Sequence, residues 1–123
     1  MHQNMSGPQV LFGGAAIGTG AFSNVENVKE LFEVLQECKI GRIDSAAIYP
    51  MSSPGMSEQL LGDCQVSKLG IAVDTKIQMI GPGSLNPSAI AASVAGSLSR
   101  LKTEVCVPLK HWPAFDGYAN YNI

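Results

Sequence analysis

Alternating apolar and amphipathic stretches predict an α/β fold in which parallel strands are each followed by a covering helix. Three observations carry this expectation. Short apolar runs start at residues 10, 42, 71 and 105, a step of roughly 30 residues, which suits one βα unit. The stretches between them place apolar residues at helical spacing. Glycine- and proline-rich turns divide one kind of stretch from the other. The order read this way is βαβαβαβ, and such alternation favours a parallel sheet.

Each element has its own signal. Residues 10–17 (VLFGGAAI) form the first expected strand, which ends in a glycine turn. Asn24 offers a helix cap. Val25, Val28, Leu31, Phe32, Leu35 and Cys38 then follow at helical spacing, with Glu26, Lys29, Glu30, Glu33 and Glu37 mostly between them. Gly41 stands where that helix is expected to stop. Residues 42–48 (RIDSAAI) are the second strand, and residues 51–56 (MSSPGM) a loop. Ser57 opens a second helix, with Leu60 and Leu61 as core residues. Glu58 lies in its first turn, where the helix dipole favours an anion. Lys68, Leu69 and Gly70 close that unit. Residues 71–77 (IAVDTKI) are the third strand, and residues 81–87 (GPGSLNP) a loop. Residues 88–101 form a third helix with Ile90, Val94, Leu98 and Leu101 on one face. Residues 105–109 are a weaker fourth strand, because Pro108 fits a central strand poorly.

The chain has 123 residues, 46% apolar and 15% charged, which suits a single globular domain. Its expected extent is 9–113, with tails at 1–8 and 114–123. The net charge of −2 supplies no basic field for a phosphate backbone, so nucleic-acid binding is not expected. Cys38, Cys64 and Cys106 are odd in number and form no C-x-x-C pair. They read as reduced, buried thiols of a cytoplasmic protein, and no metal site is expected. Residues 1–8 are polar rather than signal-like. No apolar run approaches the ~20 residues of a membrane span.

Chemistry is expected at the C-terminal ends of the parallel strands. Asp44 and Tyr49 fall near the end of the second, Lys76 on the third, and His111 after the fourth. Asp74 and Lys76 interrupt an apolar strand and are costly to bury unless paired. Each residue has an ordinary structural reading: Asp44 as a cap, Tyr49 as a rim aromatic, Lys76 as a snorkelling cation, His111 as a packed ring beside Trp112 and Pro113. Their recurrence at successive strand ends favours a shared site.

These residues sit in segments that resemble the aldo-keto reductase family. Residues 42–49 (RIDSAAIY) resemble the signature in which an Asp precedes the catalytic Tyr by five positions. Ser57, Glu58, Leu61 and Gly62 fit its S-E-x-x-L-G, and residues 73–77 (VDTKI) look like the strand that carries its catalytic Lys. Residues 97–101 (SLSRL) resemble its S-L-x-R-L, and His111, Trp112 and Pro113 its H-W-P. The opening Phe12, Gly13, Gly14 and Ala15 to Gly18 fit the first barrel strand. Residues 81–85 (GPGSL) are similar to the loop of fungal members related to aflatoxin-aldehyde reductases, a group that serves secondary metabolism. The resemblance runs from about residue 8 to residue 113.

The resemblance implies a half (β/α)8 barrel of TIM type, with about four parallel strands and three helices, because a whole barrel takes ~250 residues. It implies NADPH-dependent reduction of an aldehyde or ketone, a small carbonyl substrate, and a catalytic tetrad. Tyr49 is then the general acid, Lys76 the cation that favours its phenolate, Asp44 the group that orients Lys76, and His111 the group that orients the carbonyl. In the family the nicotinamide and 2′-phosphate contacts come from later strands, so NADPH binding by this stretch alone is expected to be poor. Gly13, Gly14, Gly18 and Gly20 give only an incomplete G-x-G-x-x-G. Two further readings follow: a cofactor-independent acid–base enzyme (isomerase, dehydratase or cyclase) using Asp44, Tyr49 and Lys76, or an inactive remnant serving as an interaction module. Open sheet edges and an apolar inner face make a homodimer the expected assembly.

Overall fold

The computed structural model describes residues 8–78, 81–83 and 85–103. Three strands, β1 (Phe12–Gly13), β2 (Arg42–Asp44) and β3 (Ala72–Asp74), form a parallel sheet in the order β1-β2-β3. Three helices connect or follow them: α1 (Val25–Glu37), α2 (Met56–Asp63) and α3 (Pro87–Leu101). This is the expected α/β alternation. The expected fourth strand at 105–109, Cys106, His111 and the tails beyond residue 113 and before residue 8 lie outside the described residues.

The strands are shorter than the apolar runs that announce them. Pairing nevertheless continues beyond their ends. Gly14 N–H donates to the Asp44 carbonyl at 2.7 Å, Ser45 N–H to the Asp74 carbonyl at 2.7 Å, and Ala47 N–H to the Lys76 carbonyl at 3.1 Å. The C-terminal ends of β2 and β3 are therefore fixed side by side, and the candidate residues sit there.

The two faces of the sheet differ because strand side chains alternate. Phe12, Ile43 and Val73 point one way, toward the helices. Ile43 is fully buried and packs with Ile17, Val28, Leu31, Phe32, Leu35, Leu60, Leu61, Cys64, Val66, Ile71 and Leu101. Arg42, Asp44 and Asp74 point the other way. Over β2 and β3 this second face is therefore a charged one. Burying an apolar face needs only one covered side, and α1 and α2 supply it.

Helix α1 starts where its cap predicts. The Asn24 side chain accepts from Asn27 N–H at 2.9 Å. It stops before Gly41, however. Lys39 adopts a left-handed conformation (φ 57°). Lys39 N–H then donates to the Gln36 carbonyl and Ile40 N–H to the Leu35 carbonyl, the paired bonds of a Schellman ending. Cys38 is consequently the C-cap and is exposed rather than buried. Cys64, in contrast, is buried as expected.

Helix α3 is capped by Asn86, which accepts from Ala89 N–H at 3.0 Å. Only Ser97 and Leu101 are buried along it, while Ile90, Val94 and Leu98 are half-buried. Its contact with the rest is concentrated at its C-terminal end, against α2. There Gly62 lies so close that a Cβ would come 2.0 Å from the Arg100 carbonyl oxygen.

Candidate active site

The charged face of the sheet is organised by register. Arg42 is opposite Ala72, and Asp44 is opposite Asp74. Each β2 side chain reaches two residues further along the neighbouring strand. Arg42 donates to both Asp74 carboxylate oxygens, from Nε at 2.6 Å and Nη2 at 2.8 Å. Lys76 Nζ contacts both Asp44 oxygens at 2.8 Å. The two carboxylates are neighbours, and each is neutralised by a cation on the strand beside it. The bidentate bond to Asp74 pushes the Arg42 guanidinium above its ordinary value, so Arg42 remains a fixed cation. Asp74 and Lys76 thus have the partners their position in an apolar strand demands.

Lys76 also donates to the Ser45 carbonyl at 2.8 Å, and its Nζ stands 5.0 Å from the centre of the Tyr49 ring. That is cation–π distance. Three of the four residues singled out from sequence, Asp44, Tyr49 and Lys76, are therefore gathered at one strand end. His111 lies outside the described residues. Gly14 belongs to the same corner: a Cβ there would meet the Asp44 carbonyl oxygen at 2.6 Å, so only glycine lets β1 close on β2 beside Asp44.

Two polar layers behind this cluster were not singled out by the sequence reading. The Ser57 hydroxyl, fully buried, donates to the Gly14 carbonyl at 3.2 Å and shares a hydrogen bond with the Ser45 hydroxyl at 2.9 Å. Its N–H donates to the Tyr49 carbonyl at 3.1 Å. Next to it, Glu58 is fully buried. One carboxylate oxygen accepts from the Thr75 hydroxyl, and the other from Arg100 Nε at 2.8 Å. The sequence places Glu58 in the first turn of a helix, where the dipole favours it, and no local pattern announces its burial. Among the described residues no buried side-chain polar atom lacks a partner, and no group of three His, Cys, Asp or Glu gathers to hold a metal. No helix among them is long and apolar enough to cross a membrane.

A tyrosine, a lysine and a carboxylate at adjoining ends of parallel strands stand where α/β enzymes carry their chemistry. The family model described as the aldo/keto reductase family matches residues 9–118, and the chain belongs to that family. No curated protein sequence matches it in direct comparison.

Proposed function

We propose that this chain carries the proton-transfer end of a carbonyl reductase site, acting on an aldehyde or ketone with Tyr49 as general acid. The observation that carries the reading is the chain of contacts from Asp44 through Lys76 to the Tyr49 ring. A free tyrosine phenol, with a pKa of about 10, is a weak proton donor to a developing alkoxide and gains from a neighbouring cation. Lys76 supplies that cation, and Asp44 holds it by two contacts. His111 is assigned the orientation of the carbonyl oxygen on family resemblance alone.

NADPH would supply the hydride. Among the described cations, Arg42, Lys76, Arg100 and Lys102 are each committed to a carboxylate rather than offered to the cofactor's phosphates. The 123-residue chain by itself should bind it weakly. The same observation favours a second reading, a cofactor-independent isomerase, dehydratase or cyclase built on Asp44, Tyr49 and Lys76. The GPGSL loop at 81–85 supports kinship with the fungal branch, and the free thiols Cys38 and Cys64 support a cytoplasmic setting. A half barrel is the corresponding architecture.

The test is an NADPH titration of the chain by nucleotide fluorescence, followed by an aldehyde turnover assay. The reductase reading expects Tyr49→Phe and Lys76→Met each to reduce NADPH-dependent turnover at least about 100-fold, the lower range for losing a general acid. Substrate conversion that depends on both residues and consumes no NADPH would establish the second reading. Turnover indifferent to both substitutions would sink each of them.

A further inference from the structure

The first turn of α2 touches the segments that carry Asp44, Tyr49 and Lys76. Ser57 binds the Gly14 carbonyl of the segment leaving β1, the Ser45 hydroxyl next to Asp44, and the Tyr49 carbonyl. Glu58, one residue on, binds the Thr75 hydroxyl next to Lys76. Alternation along an extended chain sends Thr75 toward the helices while Asp74 and Lys76 point to the charged face. A bond at Thr75 therefore fixes the rotation of the segment and with it the direction of Lys76. Glu58 is itself held from behind by Arg100, whose Nη2 also reaches the Ser97 hydroxyl at 3.4 Å. A wholly buried carboxylate is costly to maintain, and apolar side chains could fill the same space. Its placement here gives direction rather than bulk.

We propose that Glu58 is a positioning residue: through the Thr75 hydroxyl it holds Lys76 against the Tyr49 ring, so that α2 sets the spacing of the acid and its cation. The inference rests on reading Asp44, Tyr49 and Lys76 as one site. It assigns Glu58 and Thr75 no contact with substrate.

The test uses the whole chain with ring-labelled tyrosine, so that turnover is not required. The NMR signal of Tyr49 is assigned by its loss in Tyr49→Phe. Lys76→Met should displace that signal, because the cation leaves the ring. Thr75→Val keeps the shape and removes the hydroxyl; it should displace the Tyr49 signal in the same direction, and Thr75→Ser should restore it. Thr75→Ala serves if the valine variant does not fold. Val28→Ala, a core variant in α1 that takes no part in this bond, should lower thermal stability and leave the Tyr49 signal in place. In the turnover assay the valine variant should lower kcat about tenfold with little change in KM. A Tyr49 signal unmoved by Thr75→Val while Lys76→Met moves it would overturn the proposal. Displacement by Val28→Ala as well would reduce Glu58 to ordinary packing and overturn it too. A signal indifferent to Lys76→Met would remove the pairing of Lys76 with Tyr49 itself, and this inference with it.

Discussion

Single residues in this chain are set by what neutralises or desolvates them. Asp44 and Asp74 lie opposite one another in register, an arrangement that repels unless cations intervene, and Lys76 and Arg42 intervene. At Cys64 the governing effect is desolvation: burial pushes its thiol up from the ordinary value, and its Sγ lies 3.6 Å from the Val25 carbonyl. The sign follows directly. The folded state keeps the proton, while an unfolded cysteine releases it above a pH of about 8.5. The contribution is fully present below that pH and is lost as pH rises through the higher folded value. Stability should therefore decline on the alkaline side, and Cys64→Ala should flatten that decline, as read from urea midpoints between pH 7 and 10. In the same protein a thiol reagent should label exposed Cys38 quickly and Cys64 only on unfolding. Equal labelling rates in native buffer would contradict the burial argument.

Elements end and pack according to backbone geometry that composition only partly reveals. Helix α1 turns at Lys39, in a left-handed conformation that costs a residue with a Cβ about 1–2 kcal/mol. Lys39→Gly should relieve most of this and raise stability by about 1 kcal/mol. Gly41→Ala makes the complementary comparison, since nothing lies within 4 Å of a Cβ there. It should be neutral or slightly stabilising, whereas a Gly41 that formed the helix stop would resist substitution. Gly62 is the opposite case. A Cβ 2.0 Å from the Arg100 carbonyl cannot be accommodated unless α2 and α3 separate. Gly62→Ala should cost about 1–3 kcal/mol or more, as overpacking does, and should disturb the Glu58–Arg100 bond. Thermal unfolding of these three variants side by side tests the account.

At the scale of the molecule the question is what meets the sheet. Its helix side is buried, and its other side presents Arg42, Asp44, Asp74 and Lys76, already paired with one another. Those paired charges give association no apolar drive at β2 and β3. The outer strands remain: among the described residues β1 and β3 each pair on one side only. Val10 and Leu11, immediately before β1, are 65% and 47% exposed. An edge unpaired among the described residues and flanked by exposed apolar side chains invites pairing with a second copy. Self-association should thus appear in light scattering at tens of micromolar and persist at high salt, which screens ion contacts but spares backbone pairing. Leu11→Lys should weaken it. A single monomeric species under these conditions would rule the edge mechanism out.

Much of this was decided by the sequence itself. The alternation of periods gave the α/β class, Asn24 gave the start of α1, and Asp44, Tyr49 and Lys76 were each placed near a strand end. Those signals are local: a period is read within one element, and a cap bonds three residues away. Tertiary structure decided the rest. That Arg42 meets Asp74 and Lys76 meets Asp44 depends on the register of two strands joined through α2, which no local pattern states. That Glu58 is a buried tie between Thr75 and Arg100, rather than a surface charge at a helix start, depends on α3 folding back over Gly62. That Lys39 rather than Gly41 ends α1 was settled by the core contact of Ile40, which fixes where the chain must turn. Local preference proposes the elements; the contacts between segments far apart in the chain determine which charged groups face each other, because only there does burial make an unpaired charge expensive.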